Sequence, residues 1–487
     1  MTIKSDLKIV NDYSSESLYH NSPKRVSVKA ICSVVVFLTL VSLQFSCKKF
    51  VEVRGPIDKI TPLQVFESDQ SATSAVTGIY SAMIGTNINF ASGDRNSISI
   101  ICGLTSDELI SYSTPLNEAY NNGWLASSNI TNNYLWPSIY QSIYTANSIL
   151  ESLASANGVT ASTKNQLEGE LKFIRAFGYF YLINLYGDVP LQLTSDYRIT
   201  SIAPRSSVDK VYDQIITDLT DAKSLLSDSY VTTERVRPNK SAAMALLARV
   251  YLYRQKWDLA VQSATEIINN SNQYGLISLD SVFLKNSRES IWQLMPVKSG
   301  YNTNEGSIFI LTTNPSTVSL SDVFYNSFES GDQRRNKWTG TITASLGTFH
   351  YPYKYKVRIG SALTEYSMVF RLAEQYLIRA EAKAQLNDLA GAIADVDRIR
   401  DRAGLPLIQN TNPSIDKADL LLAIEKERRT ELFTEWGHRW LDLKRLDKAN
   451  AELGPIKGAN WQTTDQLFPI PQDEIMRNPN MTQNPGY

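Results

Sequence analysis

Ser241–Asn269 reads SAAMALLARVYLYRQKWDLAVQSATEIIN, a helical pattern broken once, at Gln255-Lys256. Small and aromatic residues recur in it at Ala248, Tyr251, Ala260, Ala264 and Ile267. Met368–Arg402, MVFRLAEQYLIRAEAKAQLNDLAGAIADVDRIRDR, repeats the steps with Ala380, Lys383, Ala392, Val396 and Ile399, and Asn387-Asp388 makes its turn. Measured from the first Ala, both stretches place matching residues at offsets of 12, 16 and 19. Such spacing predicts two antiparallel helices joined by a tight turn, with small side chains letting the helices approach closely.

This unit resembles the tetratricopeptide helix-turn-helix. The two copies start 132 residues apart, so they do not form a simple tandem array. Outward from them, helical periodicity covers Pro62–Ile84, Leu135–Leu153, Gln166–Tyr186, Val208–Leu226 and residues 418–449. In Gln166–Tyr186, Phe173, Phe177, Phe180, Tyr181 and Leu185 form one face, and Gly187 and Pro190 end the helix. Residues 86–134 are rich in Asn, Ser and Gly, and residues 271–367 carry short pieces such as SIWQLMP and SIFILTT between Gly, Asn and Pro. The expected fold is therefore mainly α: a tetratricopeptide-like scaffold of helix pairs, an α-α superhelix, bearing a loop-rich irregular subdomain. After Gly454, Pro469, Pro471, Pro479 and Pro485 predict an extended tail wrapped over the surface.

With 48 Lys+Arg against 49 Asp+Glu, the chain has no surplus of cations for phosphate, which argues against nucleic acid as a partner. Lys24, Arg25 and Lys29 precede the charge-free run Ala30–Ser46, the pattern of a secretory signal. Leu43-Gln44-Phe45-Ser46-Cys47 resembles a bacterial lipobox, which implies cleavage before Cys47 and lipidation there. The expected organisation is a signal peptide over 1–46, an N-terminal region over 47–270 and a C-terminal region over 271–487. Cys102 then remains as the only free thiol, expected to be buried.

Five segments resemble the SusD/RagB nutrient-binding lipoproteins of the Bacteroidetes outer membrane. They are CKKFVEV from Cys47, ELKFIRAFGYFYLINLYGDVPL at Glu170–Leu191, FRLAEQYLIRAEAKAQL at Phe370–Leu386, ERRTELFTEWGHRWLDLKR at Glu427–Arg445 and the closing FPIPQDEIMRNPNMTQNPGY. The resemblance implies a lipid-anchored protein on the outer face of the outer membrane. It also implies nutrient uptake by binding glycans, or peptides in some members, and delivery to a partner TonB-dependent transporter of the SusC type. A peptide receptor on the same fold and a glycan hydrolase are the alternatives.

Glu427, Glu431 and Glu435 recur on one helix face, and Glu435-x-x-His438 has metal-ligand spacing. Interleaved with Arg428, Arg429, Arg439 and Arg445, they read better as ion pairs pinning the last helices. Phosphate-loop, nucleophile-elbow, metalloprotease and dinucleotide motifs do not occur, so no cofactor, metal or catalysis is expected. Sugars offer apolar C–H faces and hydroxyls, which suit aromatic rings beside polar side chains. The candidate stacking platforms are Trp124 and Trp338, with Tyr112 and Tyr353 beside them and Asn122, Asp332 and Arg334 as hydrogen-bonding partners. Tyr351, Tyr353 and Tyr355 alternate as if on one strand face, and the helical spacing of Trp136, Tyr140 and Tyr144 assigns those three to packing.

Overall fold

The computed structural model describes residues 65–85 and 89–487; the expected signal peptide over 1–46 and Cys47 lie outside them. Helix α1, Asp69–Ile84, starts at Ser68, whose hydroxyl accepts from the Ser71 amide at 3.2 Å. Helix α2, Ile98–Thr105, is buried at all eight positions and leads into strand β1, Leu109–Ser111. Helices α3, Trp136–Ala154, and α4, Ala161–Tyr186, follow as an antiparallel pair. Residues 89–134 are thus less irregular than their composition implies.

The predicted single apolar face of α4 is too narrow, because every residue from Phe173 to Ile183 is buried. A helix enclosed on all sides is a core helix. It packs against both α3 and α5, Val208–Leu225, which is entered through the two-residue antiparallel pair of β2, Val189–Pro190, and β3, Arg205–Ser206.

The two repeat units are the helix pairs expected. Helices α6, Lys240–Tyr253, and α7, Trp257–Asn269, turn at Gln255, in left-handed backbone with φ 53°. Strand β4, Ser290–Leu294, opens the insertion, which contains β5, Val318–Leu320, β6, Thr339–Ala344, and β7, Gly347–Pro352. Strand β8, Ser367–Arg371, pairs back onto β4 and closes the insertion where it began. Helices α8, Leu372–Gln385, and α9, Leu389–Ala403, form the second unit and turn at Asn387 with φ 65°.

Equivalent backbone bonds close the two turns: Lys256 N donates to Tyr251 O at 2.8 Å, and Asp388 N to Lys383 O at 2.9 Å. Helix α7 packs on α8, and Ala248, Leu252, Ala260, Ala264, Ile378 and Ala382 share one core. The units separated in sequence are therefore neighbours in space, with the insertion looped out between them.

A third copy of this turn joins α11, His438–Arg445, to α12, Ala449–Lys457, downstream of α10, Lys417–Glu431. Asp447 has φ 55°, and Lys448 N donates to Leu443 O at 2.8 Å. Trp440 and Glu452 stand here at the positions of the paired alanines, which hides the unit from a search for small residues.

Two expectations about surfaces are corrected. The tail does more than wrap the outside: Phe468 and Ile470 are fully buried, and Phe468 N donates to Leu185 O at 2.8 Å. Trp136 is buried as expected and Tyr140 partly so, but Tyr144 is 52% exposed and does not pack in the core. Cys102 is buried, and burial pushes its thiol well above the ordinary range.

Candidate functional site

Five of the seven expected ligand-binding residues lie in the interior. Trp338 is 0% exposed; its Nε1 donates to Leu279 O at 2.9 Å and its ring meets Phe283 edge-on at 5.5 Å. Arg334 is equally enclosed, held by Asp332 at 2.8 Å, Glu427 at 2.6 Å and Glu431 at 2.9 Å. Asp332 also caps the short helix Gln333–Trp338 by accepting from the Arg334 amide at 2.9 Å. Trp124 packs on Phe468 at 4.4 Å, and Asn122, in left-handed backbone with φ 56°, ends a short helix and is buried. Loop composition indicated surface here, but these residues seal the contact between the loops and the scaffold.

Glu427 and Glu431 explain the burial of Arg334; the three glutamates do not share the expected single helix face, because α10 ends at Glu431 and Glu435 stands in the turn before α11. Glu431 receives Arg334 and Arg371, and Arg402 as well; burial opposes its charge, yet these guanidiniums outweigh burial and hold the carboxyl well below the usual range. Glu435 binds Arg371 at 2.7 Å and also Lys354, whose burial pushes its ammonium down to about 8. The partners of Glu427, Glu431 and Glu435 come from the insertion and from α8's approach and α9, not from the interleaved arginines. Arg428 instead holds Asp442, and Arg429 and Arg439 hold Asp107. Glu435 thus has no oxygen directed to a metal shared with His438. Burial, reinforced by Arg249, holds that imidazole well below its ordinary range. Among the described residues no group of three potential metal ligands converges.

Burial pushes Glu305 up to about 7, as a general acid would need. Its cavity, shared with Lys354, Tyr355 and Glu435, measures only about 10 Å³, room for at most one water.

The remaining two expected residues, Tyr112 and Tyr353, belong to an aromatic arc at the surface. Strand β1 pairs antiparallel with β5, β6 with β7, and β5 lies against β7. Tyr112 extends β1, its amide donating to Thr317 O at 2.9 Å, and the residue is 40% exposed. It meets Phe349 of β7 edge-on at 5.7 Å. Strand alternation puts Phe349 and Tyr351 on one face, and Tyr353, just past the strand, meets Tyr351 at 5.8 Å. All three are half-buried, and the Lys356 ammonium stands 4.0 Å from the Tyr353 ring.

On the opposite face of β7, His350 stacks on Tyr325 at 3.4 Å, Arg335 lies 4.4 Å from that ring, and Thr341 Oγ1 bonds His350 Nδ1 at 2.9 Å. Tyr351 lies across Gly340, its pair in the register; a Cβ there would come within 2.2 Å of the ring. The expected alternation of Tyr351, Tyr353 and Tyr355 stops at Tyr353. Because β7 ends at Pro352, Tyr355 turns inward, and its hydroxyl accepts from Met368 N at 2.9 Å. Phe349 joins the arc without having been expected there, although its place in the alternating run Phe349, Tyr351, Tyr353 was the available signal.

Comparison with known proteins places this chain in a family. A model described as "Starch-binding associating with outer membrane" matches residues 50–252, and one described as "SusD family" matches residues 290–487. A SusD-like protein of Formosa agariphila is 27% identical over 521 residues, covering 94% of this chain and 99% of its own. A SusD superfamily protein of Bacteroides vulgatus superposes with a TM-score of 0.76 at 20% identity, covering 87% of this chain and all of its own. A laminarin-binding SusD-like protein superposes with a TM-score of 0.72 at 24% identity, over 86% of this chain and all of its own. These matches span most of the sequence and agree with the helix-pair scaffold, and the chain belongs to the SusD/RagB family.

Proposed function

We propose that this protein captures a glycan at the cell surface on the arc Tyr112, Phe349, Tyr351 and Tyr353 and passes it to a TonB-dependent transporter of the SusC type. The arc carries the reading: four rings close together and only partly covered offer the flat apolar faces on which sugar C–H groups stack. Family membership and the laminarin-binding relative in fold support a glycan as cargo. Among the described residues no helix is long and apolar enough to cross a membrane. In this reading Cys47 carries acyl chains that hold the body at the outer membrane, facing outward, and a separate channel moves the cargo inward. The protein binds its glycan without cleaving it.

Affinity electrophoresis through starch, laminarin, xylan and pectin tests the binding step. At least one polysaccharide is expected to retard the wild-type chain. Tyr112→Ala and Tyr353→Ala should each weaken that retention by roughly two- to tenfold, since one aromatic contact contributes about 0.5–1.5 kcal/mol beyond area burial. Gly340→Ala should weaken it too, because the new methyl displaces the Tyr351 ring while leaving the scaffold intact. Retention by none of the four gels would count against the glycan, and release of reducing ends would establish hydrolysis. For the partner, gentle detergent extraction of a tagged chain is expected to recover one large barrel protein; recovery of the lipoprotein alone would oppose delivery.

A further inference from the structure

A second concave feature shares no residue with the arc. It is a cleft of about 710 Å³ formed where the end of α4, β3, the start of α5, the end of α6, α11 and the C-terminal tail meet. That volume lies within the roughly 300–1,000 Å³ of small-ligand sites.

Three cations line the cleft, and among the described residues two of them, Lys444 and Arg205, form no ion pair. Lys444, half-buried, donates to the Asn184 carbonyl. Arg205 donates from Nε to Asp188 O at 2.7 Å and from Nη1 to Thr482 O at 3.0 Å, and its other nitrogen reaches the Asn484 side chain. Arg445 also lines the cleft, but its charge is met by Asp442 at 2.7 Å and by Glu381. Asp188 is the one carboxylate in the lining, and its Oδ1 caps α5 by accepting from Val208 N at 3.0 Å. Tyr253 forms part of the wall, and its hydroxyl is buried without a hydrogen-bond partner.

Charges removed from water are stabilised by counter-charges, and the fully buried arginines follow this rule: Arg249 holds Glu374, Arg334 holds Asp332 and Arg371 holds Glu435. Lys457 also lacks a carboxylate, but two carbonyls, of Leu104 and Tyr120, cover it. Lys444 instead has a single carbonyl acceptor and lines an open cleft whose lining also includes Arg205. Burial pushes its ammonium down to about 7, the condition in which an incoming anion has most to add.

We propose that this cleft binds an oxyanion, the carboxylate or sulfate group of an acidic saccharide. The oxyanion follows from the lining; the saccharide rests on the glycan-binding reading.

The test uses the full mature chain at pH 6.5, with calorimetric titration of three trisaccharides: galacturonate, a sulfated galactose and neutral galactose. At least one charged probe should bind about tenfold or more tightly than the neutral one, and which one does so separates carboxylate from sulfate. Lys444→Gln, which keeps a donor for Asn184, should abolish most of that advantage while leaving neutral-glycan retention on the arc unchanged. If charged and neutral probes bind alike, or if Lys444→Gln binds the charged probe as wild type does, the proposal is overturned even though the arc still binds.

A second measurement needs no variant. Arg205, Asp188, Arg445, Tyr212, Tyr253 and the Cys102 thiol also face Lys444 or its cleft; burial raises Tyr212 to about 12 and Tyr253 and Cys102 well up. Lys444 is thus the group that loses its charge as pH rises above about 7. Affinity for the charged probe should fall roughly tenfold between pH 7 and 8.5, and a flat profile would overturn the proposal.

Discussion

Trp338→Ala is expected to destabilise the protein by about 3–5 kcal/mol, the range for truncating a buried aromatic ring. Its ring is fully enclosed beside Phe283, with the cations of Lys354, Arg371 and Arg402 within 6 Å or less of its centroid at 5.0, 5.7 and 5.6 Å. Truncation would therefore leave a cavity next to the ion network and orphan the Leu279 carbonyl that accepts from Nε1. Urea titration should show the loss as a lowered midpoint. Affinity for glycan, measured below the unfolding transition, should stay at the wild-type value. Weaker binding with unchanged stability would instead make Trp338 a ligand platform and count against the arc as the binding surface.

Arg371→Met should cost a similar amount, about 3–5 kcal/mol, because it strips one partner from a buried network. Arg371 reaches Glu289 at 2.9 Å, Glu435 at 2.7 Å and Glu431 as well, and methionine leaves all three carboxylates short of a cation. Acid should narrow the gap. In the wild type, burial opposes the charge on Glu431 and Glu435, but the neighbouring cations prevail and both carboxyls lie below their ordinary range. Their stabilisation is present above the unfolded carboxyl value and disappears as pH falls through the folded one. The difference between wild type and Arg371→Met should thus be largest near pH 7 and shrink below the ordinary glutamate value. A difference independent of pH would mean that lost packing, not lost charge pairing, sets the cost.

The helix pairs were legible because small residues at fixed offsets report close helix approach directly, as Ala248, Ala260 and Ala264 do. The third pair was not, since Trp440 fills the position that alanine holds elsewhere. Side was harder to read than element. Asp332-Gln333-Arg334-Arg335 has the composition of a wet loop, yet Arg334 is buried because Glu427 and Glu431 arrive from α10, about 95 residues later. Tyr112 and Tyr353 reach the surface from loops rich in polar residues, but their contact through Phe349 and Tyr351 depends on β1, β5 and β7 converging. The cleft at Lys444 was invisible for the same reason: α4, α11 and the tail meet there from three distant parts of the chain.

Hydrogen–deuterium exchange in the presence of a retained neutral polysaccharide would show whether the glycan lies on the aromatic arc. Amides of β1 through Ser113 and of the β6–β7 hairpin through Lys356 should slow on binding, while the helix pairs exchange as in the free protein. Protection confined to other surfaces, with residues 109–113 and 339–356 unchanged, would contradict the assignment of the glycan to the aromatic arc.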